Sequence, residues 1–368
     1  MKLKLLGVFL LVICLMSSTV FATYNWMQAD GSTPQYAATD NWTEPNQWDT
    51  SAHAPPSLVP GMPAPPNPAG GEIKMITNSG TGGTAHCTIN SNIGSYTGVN
   101  TSVNGNLYIN NSSAVIGFNR TGSGNGLRVG SNTAGGTSPS YIGNVAQSAG
   151  TVTATNVYLG YGGSNGNLLG TGNYVIMGGS LTCSTSLTVG GGRNTAVGSA
   201  QQTIGKFTVD GPSPTISVTA LRVGGTDVTT TTNSGTLEFK LGSGVSAIGC
   251  TSVNLDAGGV NATTALIVSA TSAPPASDIL LVNQSGAAAV VGTFDTVTGD
   301  QSPGTRAENG DLVKLTFGGT DYYYNLYYDY DSAGAPGNHG SGNDIALVIP
   351  EPATLALLGL GLLAIRRR

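Results

Sequence analysis

A four-residue pattern that recurs through the middle of the chain constrains its fold more than any other feature: "LRVG" from Leu127, "VYLG" from Val157, "LTVG" from Leu187 and "LRVG" again from Leu221. The spacings are 30, 30 and 34 residues. A weaker copy, "VNLD" from Val253, follows 32 residues later, and "LYIN" from Leu107 reads as a truncated first one. Self-similarity at such a period is the signature of stacked structural units. After each copy comes a glycine-rich stretch ("GSNTAGG", "GYGGSNGN", "GGGRNTAVG"), then further short alternating runs such as "GKFTVDG" and "TISVT". The pattern predicts three short strands per unit. Alternation sets Leu187 with Val189, and Leu221 with Val223, on one face, with Thr188 and Arg222 on the other. One unit cannot bury that apolar face alone, so successive units must stack it into continuous ladders.

The expected fold class is therefore all-β: a parallel β-solenoid of five or six rungs, wound as a right-handed β-helix by the usual crossover chirality. An antiparallel β-sandwich competes, but its turn signals recur about every 8–12 residues and carry no 30-residue echo. Composition agrees with the solenoid. The chain has 55 glycines and only 9% charged residues, against about 25% in ordinary domains, so helix is disfavoured almost throughout.

The flanks differ from the repeats. Residues 1–22 carry Lys2 and Lys4, an apolar core from Leu5 to Met16 and a small-residue end, which reads as a signal peptide cut by signal peptidase between Ala22 and Thr23. Cys14 does not mark a lipoprotein site, because Ile13 precedes it where a small residue is needed. Residues 23–98 hold Trp26, Trp42, Trp48 and a proline-rich run, and read as an irregular N-terminal cap. The tryptophans serve either as a glycan platform or as a cover over the open end of the apolar ladders. Residues 99–277 are the repeats, and 278–348 read as an antiparallel C-terminal cap. In that cap Tyr322 and Tyr324 belong to a tyrosine cluster, "DYYYNLYYDY", that is either a glycan-contacting face or a ladder of cross-strand aromatic pairs.

Signals for chemistry are few. Between Leu107 and Val260 the only acidic residues are Asp210, Asp227, Glu238 and Asp256, at unrelated offsets within the repeats, and that stretch has no histidine. Glycoside cleavage on a β-helix would need paired carboxyls from adjacent rungs. His53, His86 and His339 lie in three separate regions, so no metal-ligand spacing exists and neither metal nor cofactor is expected. The oxygen-rich run holding Asp329, Asp331, Asn338, Asn343 and Asp344 is a calcium candidate, although Ala333 breaks the EF-hand pattern and an ordinary polar hairpin loop fits equally. Beyond Cys14, the cysteines are Cys87, Cys183 and Cys250. They are either buried apolar residues or include one Cys183–Cys250 bridge. Setting aside Lys2, Lys4 and the last three arginines, nine basic residues face 19 acidic ones. That balance excludes nucleic acid as a partner.

The end of the chain has three ordered parts: Pro350-Glu351-Pro352, an apolar run from Ala353 to Ile365, and Arg366, Arg367 and Arg368. An apolar helix here would hold the exported chain briefly in the inner membrane, with the arginines as a cytoplasmic stop. The segment "VIPEPATLALLGLGLLAIRRR" resembles the sorting signal of PEP-CTERM proteins, found in Gram-negative bacteria that make extracellular polysaccharide, with Ile349 where valine is common. The resemblance implies processing by exosortase near the motif and release to the cell surface, outer membrane or matrix. Over the body, the chain resembles autotransporter-like β-solenoid surface proteins. The function expected is that of a non-catalytic surface or matrix protein associated with extracellular polysaccharide. The alternatives are a carbohydrate-binding adhesin and a polysaccharide lyase or hydrolase.

Overall fold

The computed structural model describes strands at 23–26, 48–49, 72–75, 86–89 and 94–97, and most of residues 100–350 apart from short segments within the glycine-rich stretches and near 300–306 and 335–336. The expected terminal apolar helices, Ala22, Trp42, Glu351, Pro352 and Arg366 to Arg368 lie outside the described residues.

The described residues form an all-β parallel solenoid of about four turns. Each turn contributes two strands: β10 (Ser140–Gln147) and β11 (Thr151–Tyr161), β12 (Leu169–Ile176) and β13 (Ser180–Val189), β14 (Gln202–Asp210) and β15 (Thr215–Val223), β16 (Thr232–Leu241) and β17 (Ile248–Asn254). Of these eight, the odd-numbered strands join a 15-stranded sheet and the even-numbered ones an 8-stranded sheet. The ladders reach back through β1 (Thr23–Trp26), β2 (Trp48–Asp49), β3 (Glu72–Met75), β4 (His86–Ile89), β5 (Gly94–Thr97), β6 (Asn100–Val103), β7 (Asn106–Ile109), β8 (Val115–Asn119) and β9 (Leu127–Ser131). They run forward into β18 (Thr263–Ala270), β19 (Ile279–Gln284) and β20 (Thr296–Val297).

The expectation of three strands per unit is met in an altered form. β11 pairs with β8 through Thr151–Ala154 and with β9 through Val157–Tyr161. Two separate strands of one turn thus align with two arms of a single strand in the next. Between the arms the ladder carries one extra residue in β13 alone, where Cys183 and Ser186 pair with Ala154 and Asn156 of β11 on one side and with Val218 and Ala220 of β15 on the other. A bulge of this kind bends the strand without ending it.

The core is a stack of in-register columns. One runs Val145, Tyr174, Phe207, Leu237 and Leu266, all at most 1% exposed. Facing it is the column of the recurring pattern, Leu127, Val157, Leu187, Leu221 and Val253. The Tyr174 hydroxyl, buried in this core, donates to Gln147 Oε1 at 2.7 Å, which meets the polar requirement of a sequestered phenol. Thr188 departs from the simple alternation. It is fully buried, its in-register neighbours being the long residues Tyr158 and Arg222.

The glycine that ends each pattern has a steric reason. Gly130, Gly160, Gly190 and Gly224 all have positive φ, and they pass against a second column, Gly143, Gly172, Gly205 and Gly235, in the opposite sheet. A Cβ on Gly205 would lie 2.0 Å from the Gly190 nitrogen. The two sheets meet there backbone to backbone, which only glycine permits.

Cys183 and Cys250 are buried free thiols. Both sit in one column with Val218 between them, two rungs or about 10 Å apart. That exceeds the roughly 7 Å limit for a disulfide, so the bridge is excluded and the packing role holds.

Beyond the solenoid, β21 (Asp311–Phe317), β22 (Thr320–Tyr330) and β23 (Asp344–Val348) add antiparallel to the edge of β19 in the order β19-β23-β22-β21. Val313, Leu315, Tyr324, Leu326 and Tyr328 share one core cluster with the solenoid.

Candidate functional site

The described residue at which the fold meets the C-terminal segment is the end of β23. This strand lies between β19 and β22, and all five of its residues are buried. Two carboxylates pin it. Asp344, itself 4% exposed, accepts the Gln284 N–H on Oδ1 at 2.6 Å and the Ser332 N–H on Oδ2 at 3.1 Å. Asp278 accepts the Ile349 N–H on Oδ1 at 3.1 Å, and its Oδ2 takes the Gly337 N–H at 2.7 Å and the Tyr330 hydroxyl at 3.0 Å. Burial, and then the bond to Asp278, push the Tyr330 phenol above its ordinary pKa. The chain is therefore held in place up to Ile349, one residue before Pro350.

These contacts account for the oxygen-rich run. Asp331 accepts the Ala333 N–H and the Asn338 amide, Asn343 donates to Gly286 O, and Asp329 Oδ2 accepts from Asn309 at 2.8 Å. Asp331 is spent within the loop, Asp344 and Asp329 also bond Gln284 and Asn309 outside it, and Asp329 Oδ1 is buried without a partner. Among the described residues no group of three or more His, Cys, Asp or Glu side chains converges. Asp278, which ties the whole junction together, was missed by sequence reasoning. Its partners are 52 to 71 residues away, and no local motif marks it.

Glycan-contact candidates separate by strand parity. Tyr324 is 2% exposed and donates to Pro275 O at 2.7 Å. This corrects its place in the candidate set, because a ring with both faces packed has none to offer a sugar. Tyr322 is half-buried against the core. The exposed ring of this strand is Tyr323, at 44%, while Tyr327 is half-buried and stacks on His339 at 3.9 Å between ring centroids. At the other end of the molecule the register of β1 and β2 sets Trp26 opposite Trp48.

Beside β22 lies an open cavity of about 410 Å³ lined by Val290, Glu308, Asn309, Tyr328 and Asp329 among others. A further charged cluster is on the 8-stranded sheet, where Lys206 pairs with Glu238 at 3.0 Å and Lys240 with Asp210 at 3.2 Å. Burial raises the Glu238 pKa, but hydrogen bonds from Lys206 and Thr208 and the charges of Lys206 and Lys240 outweigh it and hold the carboxyl below its ordinary value. Such a group is an ion-pair partner rather than a proton donor at neutral pH.

Compared with curated proteins and with solved structures, the chain matches none of either. A family model does match at the junction just described: residues 348–368 fit the PEP-CTERM protein-sorting motif, and this marks the chain as an exported protein sorted through exosortase.

Proposed function

We propose that this is a non-catalytic surface or matrix protein whose solenoid body associates with extracellular polysaccharide after its sorting signal is removed. The observation that carries the reading is the direct fusion of the sorting motif to a buried strand: the match begins at Val348, the last residue of β23. The body thus ends at most a few residues before the apolar run that starts at Ala353. Signal peptidase removes residues 1–22. The run Ala353–Ile365, with Arg366, Arg367 and Arg368 as its stop, holds the chain in the inner membrane until exosortase acts at Pro350-Glu351-Pro352. The body follows the plan of autotransporter-like surface solenoids, with right-handed winding. Trp26, Trp42, Trp48 and Tyr322 remain its glycan-facing aromatic candidates.

Low charge and many hydroxyls and amides support polysaccharide association, since weak contacts repeated along a solenoid add to useful avidity. The test is the intact mass and terminal peptides of the protein recovered from envelope and from matrix. A matrix form that starts at Thr23 and ends near Pro350 is expected. A matrix form that retains Ala353–Arg368 would overturn exosortase processing.

One observation favours a polysaccharide-cleaving enzyme instead, namely the cavity that Glu308 and Asp329 share. Against it, one oxygen of the Asp329 carboxylate is engaged by Asn309 and the other is buried. Glycan cleavage that is lost in Glu308→Gln or Asp329→Asn would establish the enzyme.

A further inference from the structure

The solenoid presents two outer faces of different chemistry, although both are parallel sheet under the same conformational demand. The outer face of the 8-stranded sheet is mixed: Ile142 is 51% exposed and Tyr108 37% exposed, and the Lys206–Glu238 and Lys240–Asp210 pairs stand among them. The first arms of β11, β13, β15 and β17 carry something else. Their outward positions are hydroxyls or glycine, with no charged residue from Thr151 to Thr155, Ser180 to Thr185, Thr215 to Thr219 or Ile248 to Thr251.

Register turns these into a grid. Thr151, Ser180 and Thr215 form one column, and Thr153, Thr182, Ser217 and Gly249 the next. Neighbouring columns stand two residues apart along the strand, about 6.6 Å, and rungs about 4.8 Å apart. Beneath the grid the alternate residues Leu181, Cys183, Ile216 and Val218 are packed in the core, so the backbone that spaces the hydroxyls is rigid. Thr182, Ser184, Thr215, Ser217, Thr219 and Thr251 are all exposed. The first column continues back into Val115, which is 37% exposed. From β11 to β17, however, strand propensity alone does not account for the selection, because Ile, Tyr and charged residues satisfy it on the opposite sheet.

We propose that this hydroxyl grid is the docking face for a neutral polysaccharide. The inference rests on the polysaccharide reading above and assigns it a surface. Charge selects the occupant: the exported chain is net acidic, with nine basic residues against 19 acidic ones outside the leader and terminal arginines. An anionic polymer would be repelled, whereas a face without charge desolvates none when a neutral chain lies on it. Hydroxyls both donate and accept, so they match a polyol without fixing its direction. Repetition from rung to rung lets one polymer chain engage several rows at once.

The test is co-sedimentation of the full mature protein with a particulate neutral β-glucan, with alginate gel as the anionic comparison and an ice-affinity assay as the comparison with a non-glycan lattice. Wild type is expected to bind the neutral glucan and neither of the others. The double variant Thr182→Lys, Ser217→Lys buries two unpaired charges under the polymer and is expected to lower affinity about tenfold or more. Ile142→Lys on the other sheet leaves it unchanged. Circular dichroism melts establish that both variants fold, and if the lysine pair melts, Thr182→Val with Ser217→Ala takes its place, with the same loss expected. Unchanged glucan binding in the grid variants overturns this face while leaving polysaccharide association standing. Wild-type binding to alginate or ice alone overturns the neutral-glycan assignment, and no binding to any glycan overturns the functional reading as well.

Discussion

A single residue, Gly205, decides whether the two sheets can close against each other at its rung. Gly205 meets the Gly190 backbone nitrogen at 2.0 Å and Leu159 O at 2.4 Å from where its Cβ would stand. Backbone cannot give way as a flexible side chain does, so Gly205→Ala is expected to cost about 3 kcal/mol or more, read as a lowered urea midpoint. Gly211→Ala is the contrast: nothing lies within 4 Å of its Cβ position, and only its φ of +82° opposes the change, at a cost of about 1 kcal/mol. The thiols give the second prediction. Burial pushes Cys250 up to about 12 and Cys183 higher still, so both stay protonated and enclosed. In native protein at pH 8 neither is expected to react with a thiol reagent, and both do so once urea unfolds the chain. Rapid native labelling would contradict the packed column. The packing role was one of two readings the sequence left open, resting on the usual burial of free cysteine; the impossibility of the bridge was not legible, since it depends on Val218 lying between them.

Between elements, ion pairs link rungs on the 8-stranded sheet: Lys206 of β14 to Glu238 of β16, and Lys240 of β16 to Asp210 of β14. Glu238 has a lowered folded pKa, so its contribution is present above the unfolded value of about 4.3 and is lost as pH falls through the folded value. Glu238 is only partly shielded, which limits the effect to about 1 kcal/mol or less. Glu238→Gln is therefore expected to lower stability slightly at pH 7 and to flatten its decline below pH 4.5, measured by urea titration across that range. An equal decline in the variant would place the acid sensitivity elsewhere. The pairing itself was hidden in the sequence, because Lys206 and Glu238 are 32 positions apart and meet only through a register in which Thr208 opposes Glu238.

The whole molecule is closed by its last strand. β23 contributes Ile345, Leu347 and Val348 to the interior, each worth about 1.5–3 kcal/mol of burial, so their loss is comparable with the 5–15 kcal/mol that holds a typical domain. A chain ending at Asn343 is expected not to fold cooperatively, whereas one ending at Pro350 keeps every described strand and melts as the full body does. Thermal melts of the two truncations decide this, and an intact melt for the shorter chain would show that the strands before β23 suffice. The repeat period, the apolar columns and the sorting motif could all be read from the sequence, because a solenoid repeats the same local contacts and a linear signal is recognised as a linear segment. Tertiary structure alone decided the rest. The fusion of two predicted strands depends on β8 and β9 both pairing along β11, the burial of Tyr324 on which side of β22 meets the core, and the Asp278 clasp on partners up to 71 residues away. None of these is a property of any one stretch of chain, since each arises only when distant stretches are brought into register.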